Sequence, residues 1–179
     1  MFMHVNLKLP LALALAATAA LMLVAGAVAD PSPTVTFGSS HDGASAGWSQ
    51  GKGSAIDLTL GTSSGSFAEV RLHQAHGSSV STLPEPGFTT DNYSAGSPRY
   101  FITLDNGDTL WGYPPNAGLN GGSFAWAIDN GNTYLSWAQV QAAESAATVT
   151  NAYVIADADQ AAGTVDQITG LTFGGIDFN

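Results

Sequence analysis

"PRYFITLDNGDTLWGYPP", residues 98–115, decides the fold. Asn106-Gly107 is the preferred dipeptide of a tight hairpin turn, because a two-residue turn needs positive φ at both positions. A two-residue turn there pairs Leu104 with Thr109, Ile102 with Trp111 and Tyr100 with Tyr113. On that register Trp111 and Tyr113 share one face with Tyr100, Ile102 and Leu104. Pro114-Pro115 stops the second strand, since proline has no N–H to give to the ladder.

The same alternation runs through the rest of the chain. "SAIDLTL" (54–60) sets Ile56, Leu58 and Leu60 against Asp57 and Thr59. "FAEVRLH" (67–73) sets Ala68, Val70 and Leu72 against Glu69, Arg71 and His73. Both patterns predict half-buried strands. "GSFAWAIDNGN" (122–132) predicts another, with Phe124, Trp126 and Ile128 in phase. "TVTNAYVIA" (148–156) predicts a further strand, and "VDQITGLTFGGIDF" (165–178) two more around Gly174-Gly175. One helix interrupts them. Ser136 with Gln139 three residues later is a capping box, flanked by Leu135 and Val140 at the staple positions. It opens a helix expected to run from Trp137 to about Ala146. The stretch 32–54, "SPTVTFGSSHDGASAGWSQGKGS", is expected to be loop-rich. Many short antiparallel strands with Gly-rich turns and one helix predict an all-β fold, an antiparallel β-sandwich.

Composition narrows the function classes. Residues 1–29 combine a short polar start with Lys8, a Leu/Ala run and the small residues Ala27 and Ala29. This is the pattern of a secretory signal peptide cut after Ala29, which leaves residues 30–179 as one domain outside the cell. The alternative is an uncleaved membrane anchor. The chain has no cysteine, so packing must hold an exported domain of this size without disulfides. After residue 29, Lys52, Arg71 and Arg99 are the only fixed positive charges against fourteen acids. Nucleic acid and anionic membranes are thereby excluded as partners, since phosphate binding relies on clustered Lys and Arg. Neutral sugars, cations and protein surfaces remain.

"YVIADADQ" (153–160), a Gly loop and "VDQITGLTFGGIDFN" (165–179) resemble the closing strands of galactose-binding-like jelly rolls. "SAIDLTLGTSSGSFAEVRLH" (54–73) is similar to their opening pair. Many secreted bacterial carbohydrate-binding modules belong to that group. The resemblance implies a jelly-roll sandwich that is non-catalytic and holds a glycan, often with a structural calcium ion. It implies no catalytic residue.

Candidate sites follow from residue chemistry. Tryptophan and tyrosine faces stack on the C–H faces of sugar rings while their polar edges stay wet. Trp111, Tyr113 and Tyr100 form the candidate ligand platform, and Asn116 and Asn120 in the adjoining loop offer amides to sugar hydroxyls. The alternative for these aromatics is core, because Ile102 and Leu104 share their face. Trp48, among glycines in a loop, is a second candidate for exposure. Asp157, Asp159 and Asp166 allow two readings, a calcium site or turn carboxylates bonded to their own backbone; turn chemistry is favoured. Asp105, Asp108 and Asp129 read the same way. "HQAH" (73–76) lacks a third ligand for zinc. A glycoside hydrolase needs two carboxylates roughly 5–10 Å apart across a cleft. Glu69 is one candidate, with Arg71 expected to lower its pKa, and no partner is evident beside it. The function expected is a secreted non-catalytic module for a neutral carbohydrate or cell-surface polysaccharide. The alternatives are an extracellular structural or interaction domain and, third, a hydrolase.

Overall fold

The computed structural model describes residues 34–40, 42–157 and 160–179. The expected signal peptide lies outside the described residues. Among the described residues apolar alternation produces eleven strands, and they are interrupted by one α-helix. They are β1 (Val35–Ser39), β2 (Ser45–Trp48), β3 (Ile56–Thr59), β4 (Phe67–Leu72) and β5 (Gly87–Thr90). The hairpin supplies β6 (Arg99–Leu104) and β7 (Thr109–Tyr113), followed by β8 (Ala125–Ile128). After α1 (Trp137–Ala143) come β9 (Val149–Asp157), β10 (Val165–Phe173) and β11 (Ile176–Asp177).

Two antiparallel sheets result. One has the order β1-β4-β9-β6-β7-β8; the other runs β11-β10-β3-β2, with β5 also paired to β10. Their inner faces share one core. Ile56, Leu58, Leu60, Ala68, Val70 and Leu72, all expected inward, are at most 2% exposed. Each such aliphatic side chain contributes about 1.5–3 kcal/mol by leaving water, and that burial replaces the missing disulfides. Among the described residues no helix is long and apolar enough to cross a membrane.

The helix forms where its caps predict. Ser136 and Gln139 complete the capping box, but α1 ends at Ala143, with Glu144 as its C-cap. Val140 and Trp137 are buried, and the Trp137 indole N–H donates to the Leu83 carbonyl at 2.8 Å. The 32–54 stretch is a correction: it holds β1 and β2, not loop alone. Glycine and serine dilute the alternation there, but Val35 and Phe37 still pack on the core.

The decisive correction is the hairpin register. The observed partners are Tyr100 with Gly112, Phe101 with Trp111, Ile102 with Leu110 and Thr103 with Thr109. The loop has three residues: the Leu104 N–H donates to the Asp108 carbonyl, and Gly107 alone takes positive φ, at 98°. Such a loop is a type I turn closed by a left-handed glycine. Moving the register by one residue sends every side chain of β7 to the opposite face. Leu110 and Gly112 therefore point inward, and Trp111 points out.

Gly112 makes that register fit. A Cβ there would lie 2.5 Å from the Trp126 ring. Trp126 is fully buried and stacks with Tyr100 and Phe124 at ring-centre separations of 5.8 Å each. Tyr100, expected on the ligand platform, is instead completely buried. Its hydroxyl reaches the Gly87 carbonyl at 3.0 Å and the Thr172 carbonyl at 2.7 Å, tying one sheet to the other. Burial pushes its pKa well above the usual tyrosine value. Gly112→Ala is expected to destabilise the fold by about 1–3 kcal/mol, the cost of overpacking a filled core. Urea denaturation measures it, and an unchanged midpoint would contradict the packing described.

Candidate functional site

The outward face of the six-stranded sheet carries one continuous row. The registers align Thr36, Arg71, Tyr153, Phe101, Trp111 and Ala127 across β1, β4, β9, β6, β7 and β8. Side chains opposite one another on neighbouring strands touch. Phe101 lies 4.8 Å from Trp111 and 6.2 Å from Tyr153 between ring centres, the latter pair 27° from parallel. The Arg71 guanidinium stacks over Tyr153 at 4.9 Å and that of Arg99 over Trp111 at 4.9 Å. Phe101, Trp111 and Tyr153 are each half-buried, edged by one another and by the arginines.

Polar side chains flank this row on both sides. Asn151, Thr103 and Thr109 stand on one side; Glu69 and Arg99, with the apolar Ile155 between them, stand on the other. Arg99 is ion-paired with Asp157 and donates to the Gly96 carbonyl at 2.7 Å. Arg71 donates through Nη2 to Asn151 Oδ1 at 2.8 Å and to the Tyr153 hydroxyl. A β-bulge between β6 and β9 turns Thr150 outward beside Asn151, where its hydroxyl reaches the Thr103 carbonyl at 2.9 Å. Bulges of this kind re-aim side chains at working surfaces.

Of the expected platform, Trp111 is on this face and Tyr100 is not. Tyr113 points outward but is nearly covered, packed edge-on to Tyr134 at 5.7 Å with Tyr93 also against it. It belongs to a small cluster against which Trp111 packs on the same face, and it offers no open ring. Asn120 donates to the Phe124 carbonyl at 2.8 Å, closing its own loop, and Asn116 is exposed, reaching the Thr90 carbonyl at 3.4 Å. Trp48 does have partners: it ends β2, meets Phe37 edge-on at 5.6 Å and packs on the core. Sequence reasoning missed Phe101 and Tyr153. The available signal was phase, because an aromatic between Tyr100 and Ile102, or between Ala152 and Val154, must face out.

The acids sort by geometry. Asp105 accepts the N–H and hydroxyl of Thr148, which hold its carboxyl below the usual range, and Asp129 accepts the Thr109 N–H at 2.9 Å. Both are backbone clamps. Asp42 clamps likewise, kept strongly acidic by Ser40 and Ser63. Of the three aspartates weighed for calcium, Asp159 lies outside the described residues. Asp157 faces Arg99, which supplies the positive charge an ion would bring. Asp166 is no turn residue: it sits in β10 opposite Leu58, fully buried, accepting from Gln160 Nε2 at 3.2 Å. Among the described residues no group of three or more His, Cys, Asp or Glu side chains gathers to hold a metal.

Glu69 is half-buried, and desolvation pushes its pKa up against the opposing pull of Arg71. The expected lowering by Arg71 is real but smaller than the burial effect. Glu85 accepts the Trp126 indole N–H at 3.2 Å, and Glu144 accepts from Asn106 at 2.9 Å; neither stands on the aromatic row.

No protein-family model, curated protein or solved structure matches the chain. The outer face itself therefore carries the functional reading.

Burial pushes the Asp166 carboxyl up to about 6, whereas an unfolded aspartate loses its proton near pH 4. Between those values the folded chain binds more protons than the unfolded one, so stability falls as pH rises through that window. Asp166→Asn is expected to remove this slope and to exceed the parent by about 2–3 kcal/mol at neutral pH. Urea denaturation at acidic and neutral pH checks it; equal slopes in parent and variant would contradict the burial argument.

Proposed function

We propose that this chain is a secreted, non-catalytic binding module. In this reading it holds a carbohydrate, a largely neutral polysaccharide or cell-surface glycan, against the outer face of its six-stranded sheet. One observation carries the proposal: Tyr153, Phe101 and Trp111 stand on three adjacent strands as a single row, bracketed by two stacked arginines. Sugar rings present C–H faces that aromatic rings accept, and their hydroxyls need polar partners alongside. Asn151, Thr103, Thr150 and Thr109 border the row with such groups. The arrangement suits an extended chain of sugars better than a compact ligand, because the row is a strip and not an enclosed cavity.

The acidic surface and the layout likeness to galactose-binding-like jelly rolls support the same reading. The signal-like residues 1–29 support placement outside the cell. A fold of this kind hosts many functions, so the row and not the sandwich is the argument.

Retention of the domain on a panel of insoluble polysaccharides tests the proposal, with and without calcium. Trp111→Ala is expected to weaken retention about thirtyfold, since truncating an aromatic anchor costs about 2 kcal/mol or more. Asn120→Ala is expected to leave it unchanged. Retention on no polysaccharide, or equal retention of wild type and Trp111→Ala, would overturn the reading.

A further inference from the structure

A cleft of about 270 Å³ opens at the Arg71 end of the aromatic row, lined by Arg71, His73, His76, Thr150 and Asn151 among others. Its chemistry differs from the rest of the surface. The chain carries fourteen acids and four Lys and Arg residues, yet no carboxylate lines this cleft. Among the described residues the one ion pair is that of Arg99 with Asp157, so Arg71 has no carboxylate within ion-pair reach. The nearest acid along its strand, Glu69, lies over Gly38 on β1, away from the cleft.

Arg71 is also pre-oriented. Its Nη2 is pinned between Asn151 Oδ1 and the Tyr153 hydroxyl, and its plane rests on the Tyr153 ring. Among the described residues its Nε and Nη1 make no hydrogen bond, which leaves N–H donors beside a full positive charge for an anionic group such as a carboxylate. His73 is held through Nε2 by the Thr36 hydroxyl at 2.9 Å, and both His73 and His76 are exposed at the cleft. The volume suits a substituent with part of one ring, well below a pocket that engulfs an oligosaccharide.

We propose that this cleft is a carboxylate subsite, and that the polysaccharide bound along the row carries uronic-acid units whose carboxyl group seats on Arg71. The inference rests on the carbohydrate reading of the row and extends it. A sugar chain lying along the row reaches its Tyr153 end, where the Arg71 guanidinium covers that ring and is placed to meet an exocyclic carboxyl. The chain-wide negative charge disfavours a densely anionic polymer. A mostly neutral backbone with scattered uronic acids satisfies both constraints.

Affinity electrophoresis of the intact domain tests this with three probes: glucuronoxylan, gum arabic and xanthan, each beside its carboxyl-reduced form. The sulfated, carboxyl-free polymer carrageenan is a fourth arm. The wild type is expected to bind at least one uronate polymer about tenfold more tightly than its reduced form, the scale of a charge-assisted hydrogen-bond pair. Arg71→Gln is expected to erase that preference, bringing the ratio of the two affinities measured in the same variant to about one. Arg71→Lys should fall between, because a flexible point charge replaces a stacked, braced guanidinium. Equal binding of every polymer and its reduced form would overturn the carboxylate subsite and leave the aromatic row standing. Carrageenan bound as tightly as the uronate polymers, with the same dependence on Arg71, would overturn the assignment to carboxylate. Binding to no polymer at all would remove the subsite and the row together. The wild-type comparison stands even if a variant fails to fold.

Discussion

The Trp126 indole occupies the space where a side chain on residue 112 would stand, and only glycine permits it. That close approach fixes which half of β7 faces the core. Leu110 and Gly112 turn inward, Tyr100 spans the sandwich to two carbonyls of the opposite sheet, and Trp111 is committed to the outside. Register is strongly specified wherever one face is buried, because slipping by one residue exchanges the core and solvent sets. The aromatic row exists because of this choice. With the other register, Trp111 would compete with Trp126 for the same volume, and Phe101 would have no aromatic partner on β7.

Few cations serve this acidic chain, and their placement is not uniform. Arg71 and Arg99 both project from the outer sheet face and both lie flat on aromatic rings. Arginine does this well, since its planar guanidinium is weakly hydrated and stacks without losing hydrogen bonds at its edge. The two have different tasks. Arg99 is tied to Asp157 and to the Gly96 carbonyl, which anchors the loop before β6 beside Trp111. Arg71 is hydrogen-bonded to neutral groups, with Glu69 pulling on it through space, and it lines the cleft. Three of the negative groups are clamps between distant stretches of chain: Asp42, Asp105 and Asp129 accept from Ser63, Thr148 and Thr109, each 20 or more residues away in sequence.

Most of the sandwich could be read from alternation. Ile56, Leu58, Val70 and Leu72 lie in the core as their spacing requires, and Ser136 with Gln139 marks the helix start. What escaped the sequence has physical causes. Asn-Gly is compatible with both a two-residue and a three-residue loop, and the choice is made far away by Gly112 against Trp126. Strands β1 and β2 are half-buried and glycine-interrupted, so their periodicity is faint. Asp166 looks like a turn acid by type, and only the pairing of β10 with β3 shows it pointing inward. Of the candidate platform, Trp111 was legible; Phe101 and Tyr153 were hidden because cross-strand neighbours come from distant stretches of chain.

The chain has four tryptophans, and each has an indole N–H that reports on its surroundings. Two are locked inside, donating to Glu85 and to the Leu83 carbonyl. Titrating the nitrogen-15-labelled domain with soluble fragments of the polysaccharide it retains, and following the indole N–H signals, tests the outward placement of Trp111 directly. The Trp111 signal should shift with added ligand while those of Trp126 and Trp137 stay fixed. A shift confined to Trp48, or four unmoved signals in a domain that still binds, would contradict the account.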